Sequence, residues 1–298
     1  SERLATDHGI PVQSVAAVMA ALSPQKDWYQ NASLGERLID IHQKFTQGNA
    51  VAFMPDNKMK ATARRIFAGD KYKKQRLLVM KSTYADLTEA SDRAMWIRIY
   101  DETYNPRGYR VLSPEGNFVG EPAGKAGWGS LVEISKAVRA LEDPSLENLT
   151  AIMGTKHKVR NFYNNILAPN APVSDVTIDT HAVAAALLRP LSGGSAEVHH
   201  NFGSSPSKDK QPKGWTAARN INDNGAQGTY GIYAEAYRRA AKRRGVKPRE
   251  LQAITWEAAR GLYTAKFKQN AKNVAAIDAI WYDYQRGKID LDETRNRI

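Results

Sequence analysis

Cysteine is absent from the 298 residues. That excludes a disulfide framework, a thiol nucleophile, a cysteine zinc site and a cysteine-held iron–sulfur cluster, and it fits a cytosolic protein. Long apolar runs are missing too. None approaches the ~18 residues of a membrane span, and Ser1-Glu2-Arg3-Leu4-Ala5-Thr6-Asp7 reads as too polar for a secretory signal. No phosphate-binding Gly-Lys-Ser/Thr loop and no Gly-x-Gly-x-x-Gly fingerprint occurs, so nucleotide-driven chemistry has no support. His181 and His199-His200 lack acidic or histidine neighbours at a ligand spacing, and neither a metal nor another cofactor is expected.

Negative charge is scarce: 31 Asp+Glu stand against 43 Lys+Arg, a formal net charge of +12. With a pI near 9.7, the simplest partner is a polyanion, above all nucleic acid. A solvated basic surface is the plain alternative. Charged residues at 25% and hydrophobic ones at 42% are the mix of a folded chain. No internal repeat and no linker is visible, which predicts one compact unit over 1–298.

The apolar spacing is mainly helical. Pro11 suits a first helical position, and Val12, Val15, Ala16, Met19 and Leu22 follow at helical intervals. Ser23-Pro24-Gln25 breaks that helix. A second begins near Asp27 with the stripe Leu34, Leu38, Ile41, Phe45, and 56–68 and 84–101 read as further helices. Residues 105–120 differ: Tyr109–Leu112 and Phe118-Val119 flank Ser113-Pro114-Glu115-Gly116-Asn117, a short β-hairpin insertion. Ser130–Leu141 is helical, and Ser145 is placed to cap a short helix ending at Met153-Gly154. Gly, Pro, Ser and Asn crowd 192–229, a long loop of the kind that carries function. Helices return at 230–244, 249–264 and 271–286, a basic C-terminal region spanning 230–298.

Residues 145–188 hold the chemistry. A short helix ends at Gly154, and Lys156-His157-Lys158 opens the next, whose free N–H groups with those cations would seat a phosphate. After Pro169 and Pro172 the chain passes through apolar, β-branched Val176-Thr177-Ile178 into a helix at Asp179-Thr180-His181. An aspartate there is ordinarily a cap worth ~1 kcal/mol. Beside a buried segment, with a lysine in reach, it is also a candidate for acid–base work. His181 either orients Asp179 or faces the core.

The order helix–Gly–basic–helix–loop–Ile178-Asp179-Thr180-His181 resembles the helix-hairpin-helix DNA glycosylases, the superfamily that contains endonuclease III. The resemblance implies a mainly α, two-lobed helical fold, here with the small β-hairpin inserted. It implies a hairpin that grips the DNA backbone through Gly154, Thr155, His157 and Arg160. By position, Lys158 matches the family's nucleophilic lysine and Asp179 its catalytic aspartate, 21 residues apart. Where the family hairpin has Gly-x-Gly, this chain has Gly154-Thr155-Lys156, which makes Lys156 the second candidate nucleophile. Upstream, Leu22-Ser23-Pro24-Gln25 with Trp28 and Asn31 is similar to the family's Leu-Ser-x-Gln segment, so Gln25 would fill the space left by an extruded base. The resemblance extends to phage-encoded relatives linked to hypermodified DNA, including amino acid:DNA transferases, in the style of Lys158–Ile166 and Leu251–Trp256. It implies work on duplex DNA in the cytoplasm of a bacterium or phage-infected host cell.

Outside that segment, Arg238, Arg239, Lys242, Arg243, Arg244, Lys247 and Arg249 put seven cations into twelve residues. Arg239, Lys242 and Arg243 share a helix face suited to tracking phosphates. Trp256 and Trp281 fall in periodic apolar positions and are expected in the core, whereas Trp28 and Trp128, near loops, either pack or stack on a base. Three functions follow: excision of a modified or damaged base, with or without strand nicking; transfer of a group onto an extruded base by the same fold; and DNA binding without chemistry.

Overall fold

In the computed structural model, residues 1–105, 108–113, 115–154, 157–172, 175–206, 208–211, 213–215 and 228–298 are described. They fall into two compact units, Ser1–Leu167 and Ala168–Ile298, where the sequence reading has one. The boundary comes at the turn Ala168-Pro169-Asn170, inside the 145–188 segment. It has no Gly/Ser-rich composition to betray it.

The first unit contains α1 (Glu2–His8), α2 (Val12–Leu22), α3 (Trp28–Thr46), α4 (Asn57–Ile66), α5 (Lys73–Val79), α6 (Ala90–Tyr104), the strands β1 (Gly108–Leu112) and β2 (Phe118–Lys125), then α7 (Leu131–Glu142), α8 (Leu146–Met153) and α9 (His157–Leu167). From Ser14 to Leu22 every residue of α2 is buried. A helix apolar all round belongs inside, and α2 packs against α3, α7, α8 and α9. Phe45, Trp96 and Tyr100 form an aromatic block beside it, with Phe45 and Trp96 ring centres 4.6 Å apart. Each such side chain removed from water contributes about 2–3 kcal/mol.

Starts and stops follow local chemistry. Asp27 caps α3 by accepting from the Gln30 N–H (2.9 Å), and Ser130 forms a reciprocal capping box with Glu133 on α7. The sixth helix begins at Ala90, later than the 84–101 pattern suggests. Thr83 Oγ1 bonds the backbone and carboxylate of Asp86 and holds a turn there, competing with helix. The hairpin forms where expected, pairing Leu112 with Phe118 and Val111 with Val119, and β2 runs on to Lys125.

The second unit contains α10 (Thr180–Leu187), α11 (Ala196–Asn201), α12 (Tyr230–Arg244), α13 (Pro248–Leu262), α14 (Ala265–Gln269), α15 (Ala271–Gln285) and α16 (Leu291–Arg297). The fully buried Val176 and Ile178 join Val183, Tyr230, Tyr237, Ala241 and Leu251 in its core. The Tyr230 hydroxyl secures extended Val176-Thr177-Ile178, donating to the Val176 carbonyl (2.7 Å) and accepting from the Ile178 N–H (3.0 Å). The expected loop 192–229 contains α11 and a single 3₁₀ turn, Lys208–Lys210, and its stretch 216–227 lies outside the described residues. No helix among the described residues is long and apolar enough to cross a membrane.

Candidate functional site

Asp179 is the N-cap of α10. Its Oδ1 accepts the Ala182 N–H at 2.9 Å, the ordinary capping bond, and its Oδ2 accepts the indole N–H of Trp256 at 3.0 Å. The carboxylate is therefore held from two sides, by its own helix and by α13. One N–H on each oxygen leaves each a further acceptor position. Asp179 as a residue is half-buried.

Trp256 is the hub of this corner. The His181 ring stands edge-on to it with centres 5.4 Å apart, and the Arg260 guanidinium lies over its face at 5.2 Å. Behind it, Tyr237 on α12 donates to the Ala182 carbonyl (3.1 Å) and meets Thr255 Oγ1 at 2.9 Å. Burial, with the Asp179 charge adding to it, pushes the Tyr237 hydroxyl up to about 12, so it stays protonated as a donor through the neutral range. A fixed carboxylate, an imidazole and an exposed guanidinium on one indole can stabilise a developing cation, move a proton and seat an anion.

The hairpin supplies a second set of residues in the first unit. The Ser145 side chain caps α8 through the Asn148 N–H (3.2 Å), and α8 ends at Gly154 with φ 59° and ψ −157°, a backbone region that is essentially glycine's alone. Arg160 on α9 donates to the Gly154 carbonyl at 2.9 and 3.2 Å and to the Thr150 carbonyl at 3.2 Å. Its guanidinium thus ties the two helices together. His157 and Lys158 are half-buried in the first turn of α9, whereas Thr155 and Lys156 lie outside the described residues. Lys158 belongs to the first unit and Asp179 to the second.

Gln25 stands at the exposed tip between α2 and α3 with φ 59°, a left-handed conformation uncommon for a residue other than glycine. Buried Asn31 secures the turn by donating to the Met19 carbonyl at 2.9 Å. Trp28 is 42% exposed and meets Phe162 edge-on, while Trp128 is buried and donates to Asp101 at 2.7 Å, so of these two only Trp28 presents a ring to solvent. On α12, Arg239 pairs with Glu235 at 2.9 Å. Lys242, Arg243 and Arg244 are exposed and form no ion pair among the described residues. Lys247 and Arg249 turn to Asn170 (3.0 Å) and the Ala171 carbonyl (3.1 Å).

The chief correction concerns Trp256. Its periodic apolar position predicts a core residue, yet it is half-buried and spends its N–H on Asp179. The available signal was the i, i+4 pair Trp256 and Arg260, which places a cation beside the indole, together with the need of a part-buried indole N–H for an acceptor. Tyr237 and Thr255 were equally silent, because their partners lie across the fold. His199 and His200 gather around Trp215, the latter stacked at 4.3 Å. No group of three or more His, Cys, Asp or Glu side chains able to hold a metal occurs among the described residues.

Residues 1–90 and 215–262 are similar to a family of unknown function (DUF7178). Those blocks include Gln25, Arg239, Lys242, Arg243, Trp256 and Arg260, and they leave out 145–188. No curated protein and no solved structure matches the chain.

Proposed function

We propose that the protein is a DNA glycosylase that extrudes a modified or damaged base from duplex DNA and breaks its N-glycosidic bond. The observation that carries this reading is Asp179, a carboxylate held at a helix start by Ala182 and Trp256 with acceptor capacity to spare. In breaking a glycosidic bond, positive charge develops on the sugar, and a prefixed carboxylate is the group that stabilises it. Gln25, exposed on its interhelical tip, fills the gap left in the stack, at an extrusion cost of a few kcal/mol. The Gly154 hairpin with His157, and Arg239, Lys242 and Arg243 on α12, meet the phosphate backbone.

In the nicking variant of this reaction, the Lys158 amine attacks the sugar's anomeric carbon. The bond to the base breaks with its electrons leaving on the base, and loss of the amine proton gives a Schiff base after ring opening. Without that attack, Asp179 assists water. The test is incubation with duplexes carrying varied modified bases, followed by nucleoside mass spectrometry. Free base and abasic sites are expected, with the rate reduced about 10²–10³-fold or more in Asp179→Asn. Borohydride should trap a covalent complex that Lys158→Ala abolishes. A heavier nucleoside in place of free base would show group transfer, and DNA left unchanged would show binding alone; either outcome overturns the proposal.

A further inference from the structure

Residues 56–81 hold nine cations against two carboxylates, Asp56 and Asp70. A net of seven positive charges therefore sits in fewer than a tenth of the residues and accounts for more than half of the +12. Neither the hairpin nor α12 includes any of it. Three of the nine are engaged: Arg65 pairs with Glu102 at 3.6 Å, Arg76 donates to the Phe67 carbonyl, and the Lys71 ammonium lies over the Tyr72 ring at 5.3 Å. Lys58, Arg64, Lys71, Lys73, Lys74 and Lys81 are exposed and form no ion pair among the described residues.

The arrangement is unfavourable for the isolated fold. Lys60 and Arg64 are like charges at i, i+4 on α4, a repulsion of about 0.2–0.5 kcal/mol. On α5, Lys73 and Lys74 stand one turn before Leu77 and Leu78, which are 52% and 53% exposed, and Lys81 follows just beyond the helix. Half-exposed leucines between lysines make a surface that is cationic at its rims and apolar at its middle. A nucleic-acid groove has that complement: phosphates at its edges and sugars between them.

We infer that α4 and α5 form a second seat for the DNA backbone in the first unit, separate from the hairpin and from α12. The inference rests on the DNA reading above but not on the chemistry assigned to Asp179. Its test uses the full chain and a 20-base-pair duplex, with affinity followed by fluorescence anisotropy between 50 and 200 mM salt. The variant Lys58→Gln/Arg64→Gln/Lys73→Gln/Lys74→Gln should bind at least tenfold more weakly at 50 mM salt. Its salt slope should be shallower by about two to four, each lost phosphate contact removing about 0.9. Excision at saturating DNA should be unchanged.

Equal affinity and slope in wild type and variant would overturn the seat while leaving excision standing. Binding lost in the variant, with a wild type that never alters the DNA, would overturn excision while leaving the seat standing. The milder Lys73→Gln/Lys74→Gln pair, with a slope change of one to two, covers the case in which the fourfold variant does not fold. A membrane is the rival partner for a lysine–leucine face. Capture by equimolar phosphatidylserine–phosphatidylcholine vesicles, abolished by Leu77→Ser/Leu78→Ser, with DNA affinity unmoved by the lysine variants, would overturn the inference in its favour.

Discussion

At the scale of single residues, the indole of Trp256 decides how Asp179 is presented. A capping bond alone would fix one oxygen of the carboxylate; the bond to Trp256 Nε1 fixes the second and sets its plane. Trp256→Phe keeps an aromatic ring for His181 and Arg260 to lean on and removes only the N–H. A hydrogen bond to a charged group is worth about 1.5–3 kcal/mol, so kcat should fall about 10- to 100-fold with KM unchanged and the fold retained. A fall in stability with kcat intact would assign Trp256 to packing alone. A second residue-scale prediction concerns buried His42, whose Nδ1 meets the Tyr84 hydroxyl at 2.8 Å. Burial, helped by nearby Arg93, lowers its pKa from the ordinary 6.5 to about 4. The unfolded chain then binds the extra proton first, so this contribution to stability is complete above pH 6.5 and is lost as pH falls towards 4. Burial raises Glu36, Asp40 and Asp101, which act in the opposite sense by favouring the folded state as they protonate. Comparison with His42→Gln isolates the imidazole. In urea titrations at pH 7 and 4.5, the wild type should lose about 2–3 kcal/mol more than the variant, and equal losses would contradict the assignment.

At the scale of elements, the helix ends carry most of what the structure adds. Gly154 is held at φ 59° and ψ −157° with nothing closer than 3.9 Å to an added Cβ among the described residues, so Gly154→Ala would suffer from backbone conformation. A cost of about 1–3 kcal/mol is expected in thermal or urea unfolding. Gly9→Ala, in ordinary left-handed space with φ 61° and ψ 34°, is the control at about 1 kcal/mol. Identical small losses at both sites would mean that the α8–α9 turn relaxes freely. These ends were also the most legible part of the chain. Asp27, Ser130, Ser145 and Asp179 all cap helices; Ser145 and Asp179 are read as caps from the sequence, and Asp27 and Ser130 as the starts of their helices. The sixth helix was misplaced at its start because Thr83 and Asp86 close a local turn whose bonds leave no periodic trace. The bond between Trp256 and Asp179 was illegible for a different reason: 77 positions separate the partners, and apolar spacing reports that a face is covered without reporting by what.

At the scale of the whole molecule, charge and core are distributed differently. The excess of cations was legible as a total and as the dense run at 238–249, whereas a second accumulation, at 56–81, was spread among ordinary helix-forming residues and emerged only with the exposure of each lysine. The division into two units was hidden too, since a proline turn serves as the boundary. Yet the cores obey that division strictly. Every residue of the block around α2, Phe45 and Trp96 lies before Ala168, and so does the smaller cluster of Leu4, Val15, Met19 and Ile39. The core of the second unit begins at Val176. A segment with its own complete core, and of a size at which two thirds of the chain's surface is buried on folding, should fold alone. Residues 1–167, produced as a fragment, should therefore give a helical circular dichroism spectrum and a single cooperative melt, with near-ultraviolet signal from the packed Trp96 and Trp128. The fragment retains 56–81 and lacks Asp179, so it should bind duplex DNA in a salt-sensitive way without altering it. A broad, non-cooperative melt would show that the first core depends on the second unit for its stability, and it would remove the basis for treating the two as separate folding units.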